Sequence, residues 1–408
     1  MTIVLPILTL ESQIKRRLRN HLKSLGFDRD DAGELRAPST EKDTLRILHR
    51  AQRLEKIADN ENLISSRWDS LRHFFADGLE VDVERISPRI ERVASNTWQA
   101  DLFRLASLTW SVPVSSGYGR RLRFLVWDEC NGKLIGIFAL GDPVFNLRAR
   151  DDFVGWTTED RKDRLVNVLD AYVLGAVPPY NSLLGGKLVA CLTNSTEVQE
   201  EFRKAYGKSV GLISTRRKNP KLALITTTSS LGRSSIYNRL KLGDRSYFRP
   251  VGFTEGWGHF HVPSQLFDLM RTYLRAHNHP YASNHGYGDG PNWRLRTVKA
   301  ALGMIGMSPN LLRHGIGRQV FVSELADNAC EVLCGRSPKL SGLVQLSAGE
   351  IGNQALDRWM VPRAMRVPEY KSWQSSQLLS LIYAKQDVEQ MSLPHLANSP
   401  ANVDTHGT

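Results

Sequence analysis

The chain has 408 residues, a formal net charge of +12, 41% hydrophobic and 24% charged residues. That balance belongs to a globular protein with room for two or three domains and excludes a disordered polyelectrolyte. No apolar run reaches the roughly 18–20 residues of a membrane span, and apolar Thr2–Leu10 precedes basic Lys15–Arg19, the reverse of a secretory leader, so a cytoplasmic location is expected.

Residues 1–85 read as a helical region. Ile14, Leu18, Leu22 and Leu25 recur at helical spacing beneath Lys15, Arg16, Arg17, Arg19 and Lys23. This predicts an amphipathic helix that docks its apolar stripe on its own protein, the alternative being contact with nucleic acid or an acidic membrane. Lys42–Asp59 and Ser65–Ala76 repeat the pattern. From about residue 86 the period changes. Leu122–Trp127 reads as a strand, Asn131-Gly132 as a hairpin turn, and Lys133–Leu140 as the returning strand. A polar loop over 141–158 leads to a helix near Glu159, then to a buried strand, Ala171–Val177, stopped by Pro178-Pro179. The turn Tyr180–Gly186, helices at Lys187–Leu192 and Thr196–Ala205, and a strand at Leu222–Thr228 follow. A short helix at Ser234–Leu240 and a strand region, Val251–Val262, complete an α/β core over 86–262. Residues 263–345 read as a basic α+β extension. It holds a helix at Pro263–Ala276, a Gly- and His-rich loop over 278–290, and a helix carrying Leu295, Val298, Leu302 and Ile305. Residues 346–408 read as a helical segment and, beyond about 390, an unstructured tail.

The charge is unevenly spread. Residues 201–320 hold 19 Lys or Arg against five Asp or Glu, an excess of 14, so the rest of the chain is close to neutral. The cations cluster as Arg216, Arg217, Lys218 and Lys221; as Arg233, Arg239 and Lys241; and as Arg294, Arg296 and Lys299. Tyr237, Trp257 and Trp293 lie among them. Cations for phosphates and rings for stacking point to nucleic acid, DNA before RNA. The alternative is a solvated basic face.

Other constellations are weaker. His259 and His261 flank Phe260, so on a strand both imidazoles would share a face, and with His285 or Asp289 they offer a metal site or an acid–base pair. The alternative is histidines satisfied by backbone groups. Adjacent Asp151 and Asp152, on an extended loop with Arg148 and Arg150, would point apart. Cys330 and Cys334 are one helical turn apart with no second pair at finger spacing, so no metal is expected there and small buried thiols are the reading.

The order hairpin, helix, buried strand, glycine turn, helix, strand, helix, strand resembles the acetyltransferase fold of the GNAT superfamily. The resemblance implies a GNAT-like mixed sheet flanked by helices, here with N-terminal and C-terminal helical extensions. It implies acetyl-CoA or a related cofactor, with its pyrophosphate near Asn181, Gly185 and Gly186. It also implies that Tyr237, in the run Ser229–Leu240, is the general acid for a departing thiolate. The family's phosphate loop reads Gln or Arg, two residues, Gly, one residue, then Gly or Ala; of the window Asn181–Gly186 only the final glycine fits.

A second resemblance covers about residues 85–325. Gly136–Pro143, Asn146–Asp151, Gly155-Trp156, Gly256–His261 and Gly288–Asn292 are similar to the family of the first protein of the Druantia anti-phage defence system. This implies a role in resistance to phage beside other defence proteins, including a large helicase, and no known reaction. The combined expectation is a defence component that binds nucleic acid through residues 201–320. Its alternatives are a GNAT-like enzyme acting on a base or small acceptor, with Tyr237, His259 and His261 as candidate catalytic groups, and a scaffold for a partner protein.

Overall fold

The computed structural model describes residues 9–31, 34–208, 219–283 and 293–383. Arg216, Arg217, Lys218, His285 and Asp289 fall outside them. The amphipathic segment forms α1 (Leu10–Ser24), capped by the Thr9 hydroxyl, which accepts the Ser12 N–H, and buries Ile14, Leu18 and Leu22. A two-residue ladder, β1 (Asp28–Arg29) with β2 (Leu35–Arg36), leads into α2 (Lys42–Leu48), α3 (Arg50–Ala58) and α4 (Glu61–Leu71).

The α/β portion is built on eight strands. In chain order they are β3 (Pro88–Arg92), β4 (Arg121–Asp128), β5 (Lys133–Gly141), β6 (Val168–Ala176), β7 (Leu224–Thr228), β8 (Leu240–Leu242), β9 (Arg245–Phe253) and β10 (Gln319–Glu324). Helix α5 (Trp98–Ser107) precedes β4; α6 (Arg148–Val154) and α7 (Thr158–Arg164) precede β6. Helices α8 (Gly185–Leu192) and α9 (Thr196–Tyr206) join β6 to β7, and α10 (Ser264–Ala276) and α11 (Trp293–Met304) precede β10. The chain then runs through α12 (Ala329–Leu333), α13 (Ala348–Ala355), α14 (Val361–Arg366) and α15 (Gln377–Tyr383).

The sheet order is β3-β4-β5-β6-β7-β10-β9-β8, a mixed sheet flanked by helices. Every neighbouring pair is antiparallel except β6 and β7, as the long crossover through α8 and α9 requires. That parallel pair is short: Val168, Leu169 and Asp170 pair with Leu224, Ile225 and Thr226, and the rest of β6, to Ala176, has no ladder with β7. The two strands therefore part, leaving a gap in the middle of the sheet. On its other edge β6 carries a bulge, because Ala139 pairs with Val173 and Leu140 with Ala171, leaving Tyr172 as the extra residue.

Alternation along the strands sends apolar residues to two faces. Leu122, Phe124 and Val126 of β4 join one core with α8 and α13, while Leu125 and Trp127 join another with α4, α5 and α15. A further core lies off the sheet, where Ile14, Leu18, Leu22, Leu45 and Leu48 pack against Phe267, Met270, Val298, Leu302 and Ile316. The N-terminal stripe thus docks on its own protein, against α10. Among the described residues no helix is long and apolar enough to cross a membrane.

Three local expectations are corrected. The 141–158 loop contains α6, so Asp151 lies on a helix, not an extended loop. Residues 234–239 form turns that lead into β8 rather than a helix. The strand expected over 251–262 ends at Phe253; Gly256 then adopts φ 72°, and an isolated bridge from Trp257 to Arg313 follows. His259 and His261 therefore do not stand side by side on a strand.

Candidate functional site

Where β6 and β7 part, the gap opens into a cleft of about 1110 Å³. Its floor is β6 from Asp170 to Ala176 and the end of β7; its walls are the start of α8, residues 229–237, α2–α3 and residues 259–264. Lys42, Arg46, Lys56, Lys187, Arg233, Arg294 and Arg318 line it, against Glu55, Asp59 and Asp170 alone among the described acids. Five separate stretches of chain therefore put an excess of positive charge on one cavity, which concentrates the field there.

Asp170 is the acid at the point of parting. The Thr226 hydroxyl donates to its Oδ1 at 2.6 Å. Burial dominates its ionisation and, against the Thr226 hydrogen bond and Arg150, pushes its pKa up to about 6. Two phenols feel the same charge. Tyr118 and Tyr237 are both raised first by burial and then by Asp170, and the Tyr118 hydroxyl has no hydrogen-bond partner among the described residues.

Tyr237 lines the cleft with 9% of its surface exposed. Its ring packs on Phe248 and Phe321 at 5.6 and 5.3 Å, and its hydroxyl hydrogen-bonds Thr227. Asn181 and Gly186 line the cleft beside it. Gly185 instead packs below the first turn of α8, where an added Cβ would lie 2.6 Å from the Tyr180 carbonyl oxygen, so the helix can start there only on glycine.

The histidines separate. His259 lines the cleft, its pKa lowered to about 4 by burial, then by Arg294 and His261. His261 is buried in the core shared with α1, its Nε2 2.8 Å from the Leu311 carbonyl and its Nδ1 unpartnered among the described residues. No group of three His, Cys, Asp or Glu among the described residues is arranged to hold a metal. The Cys330 thiol donates to Glu324 and the Cys334 thiol to the Val154 carbonyl.

Of the basic residues singled out in the sequence, Arg233 and Arg294 face the cleft. Lys221, Arg239, Arg296 and Lys299 are exposed and do not line it; the Lys221 ammonium bonds the Pro338 carbonyl. Trp257 is exposed outside the cleft, and Trp293 packs against Phe267 at 5.3 Å. Arg150 is fully buried and structural: it grips Asp151 at 2.6 and 2.8 Å and caps the Val144 and Phe145 carbonyls, while Arg161 takes the other Asp151 oxygen at 2.8 Å.

Sequence reasoning missed Asp170, His49 and Arg318. A signal existed for the first: a carboxylate inside the apolar run Val168–Val173 is rarely buried without a task. The other two carried none, since His49 sits 269 positions before Arg318 and the fold alone joins them, with Arg318 Nη2 3.1 Å from His49 Nε2.

No solved structure matches this chain. The chain is 56% identical over 383 residues to "Druantia protein DruA" of Escherichia coli (strain UMEA 4076-1), covering 93% of this chain and 94% of that protein. The family profile described as Druantia protein DruA matches residues 39–335, a span that includes every strand of the eight-stranded sheet and nearly all of the cleft. On both grounds the chain belongs to the Druantia protein DruA family.

Proposed function

We propose that this protein serves in Druantia anti-phage defence by holding a nucleic-acid strand, DNA in the first instance, in the cleft between β6 and β7. The carrying observation is the cation excess on the cleft walls, to which Lys42, Lys56, Arg233 and Arg294 contribute. A strand laid between those walls meets ammonium and guanidinium groups for its phosphates, while Tyr172, Trp110 and Tyr237 supply ring surface for an unstacked base. Exposed Arg239, Arg296 and Lys299 extend the positive surface beyond the cleft. Neutralising about four phosphates of a single strand gives a log-affinity versus log-salt slope of roughly −3. Fluorescence anisotropy with a labelled oligonucleotide across a salt series tests this. The double change Lys42→Ala, Lys56→Ala is expected to flatten the slope by about 1.4. A flat dependence, or no binding at low salt, rejects the reading.

A second reading is acyl transfer in a GNAT-like cleft, with the other proteins of the defence system, a helicase among them, as its partners. The observations that favour it are the strand order, the single parallel pair that parts, the bulge at Tyr172 and the helix that starts at Gly185 beside the gap. In it Tyr237 is the proton donor and acetyl-CoA the cofactor. Native mass spectrometry of the purified protein separates the two readings, since a retained acyl carrier favours transfer and an oligonucleotide favours binding.

A further inference from the structure

The protein treats its buried arginines in different ways. Arg53 is buried without a carboxylate, yet its two terminal nitrogens donate to the Leu108, Trp110, Leu381 and Ile382 carbonyls, and only its Nε is left unpartnered among the described residues. Arg150 has Asp151 and two carbonyls. Arg294 donates to the Val262 carbonyl, lies over the Phe267 ring and feels Glu55 and Asp268. Arg318 has none of this. It lines the cleft half-buried, and among the described residues its guanidinium meets the neutral His49 Nε2 at 3.1 Å and the Phe260 ring at 5.9 Å. No carboxylate among the described residues lies within ion-pair distance of it. Burial lowers its pKa and no anion raises it back. The donors that His49 leaves free face the cleft, and a guanidinium so placed, with no carboxylate beside it, is one that an anion entering the cleft can complete.

We propose that Arg318 and His49 form a phosphate subsite of the cleft, in which the guanidinium grips the phosphate oxygens and the imidazole takes up a proton as the phosphate arrives. The inference deepens the nucleic-acid reading and rests on it for the source of the phosphate.

The local groups fit that role. His49 Nδ1 pairs with Gln52 Oε1 at 3.2 Å, which leaves Nε2 as the acceptor of the Arg318 N–H. Facing His49 are Arg318 and His314 from the 313–318 segment, the Phe260 ring from the 259–264 segment, and Gln52 from α3. None of these is an acid. Glu55, one turn further along α3, is engaged by the Ser264 N–H and hydroxyl at 3.0 and 2.8 Å. Burial and Arg318 hold His49 near pKa 4, so it is neutral at pH 6 in the empty cleft. A phosphate that draws the guanidinium onto its own oxygens removes the main cation acting on Nε2 and supplies the anion that a charged imidazole needs.

Isothermal titration calorimetry on the full chain at pH 6, in two buffers of different ionisation enthalpy, tests the subsite. The probes are inorganic pyrophosphate, an oligothymidylate and coenzyme A. Pyrophosphate is expected to bind with net proton uptake. Arg318→Gln is expected to weaken it on the order of 10–100-fold, and His49→Gln to abolish the proton uptake. Arg104→Gln, exposed on α5 and outside the cleft, is the control and is expected to change pyrophosphate affinity less than twofold. If Arg318→Gln does not fold, Arg318→Lys replaces it, keeping the charge and losing the fork, with a loss of about tenfold expected. Arg318-dependent pyrophosphate binding without oligothymidylate binding sustains the subsite and sinks the nucleic-acid reading; tighter Arg318-dependent binding of coenzyme A assigns the phosphate to that source. The proposal is overturned if the wild-type chain ignores pyrophosphate, or if Arg318→Gln binds it as well as wild type.

Discussion

Removing the charge at the mouth of the parted strands is expected to stabilise the protein. Asp170 has its pKa raised from 3.8 to about 6, mainly by burial. At pH 8 the folded state must carry a carboxylate that water would hold more favourably, and a shift of about two units corresponds to roughly 3 kcal/mol. Because the group borders an open cleft, solvent screening reduces this to about 1.5 kcal/mol. Asp170→Asn keeps the oxygen that accepts from Thr226 and discards the charge, so it recovers that amount. The sign follows from linkage. A carboxylate with a raised folded pKa binds a proton more readily in the native state, so the wild-type chain gains stability as pH falls through 6 toward 3.8. The advantage of Asp170→Asn is therefore largest at pH 8, falls by about half at pH 5 and to about a fifth at pH 4. Urea denaturation of both proteins at these three pH values measures it, compared at equal m-values. A variant less stable than wild type at pH 8, or a gap that widens on acidification, refutes the reasoning. A stabilised variant that also loses function would mark Asp170 as a group kept at the cost of stability.

Further outcomes follow from the same contacts. Burial lowers His49 and His261 to about 4 and His314 to about 3, so these groups contribute stability present above 6.5 and lost as pH falls below it. At pH 5 each is expected to cost about 1–2 kcal/mol, more together than the opposing gain at Asp170; a melting temperature unchanged between pH 7 and 5 would exclude this. Arg150→Met leaves buried Asp151 with Arg161 alone and is expected to cost about 3–5 kcal/mol in urea denaturation, whereas a cost below about 1 kcal/mol would show the pair to be solvated. Tyr237→Phe keeps the Phe248 and Phe321 contacts and loses the hydrogen bond to Thr227, for about 1 kcal/mol of stability. In plaque assays with the complete defence system, full protection by this variant would remove the phenol as a proton donor, and loss of protection would favour acyl transfer.

Local chemistry made much of the sheet legible. Asn131-Gly132 placed the hairpin, and the apolar runs either side became β4 and β5 within a residue or two of the expected bounds. Prolines after residue 177 and glycines at 185–186 marked the end of β6 and the start of α8. Strand order was not legible to the same depth. β10 inserts between β7 and β9 from more than 60 residues downstream of β9, and nothing within Gln319–Glu324 states which edges it will join. The basic excess of residues 201–320 identified Arg233 and Arg294, yet the cleft takes Lys42, Arg46 and Lys56 from a near-neutral part of the chain. Charge counted along the sequence could not find cations that only tertiary packing brings to the same wall. The shared face expected of His259 and His261 depended on a strand that stops at Phe253, whereas the backbone-satisfied alternative describes His261 on the Leu311 carbonyl.

The docking of α1 carries a consequence for how the chain is made. Its apolar stripe is covered by α10, and about 240 residues separate Ser24 from Ser264. At bacterial synthesis rates of about 5–20 residues per second, α1 emerges from the ribosome roughly 12–50 s before its partner exists. Ile14, Leu18 and Leu22 spend that interval as a basic, apolar helix facing solvent, a surface that chaperones hold and that neighbouring nascent chains can join. His49 and Arg318 can come together only after a similar wait, when synthesis has passed residue 318.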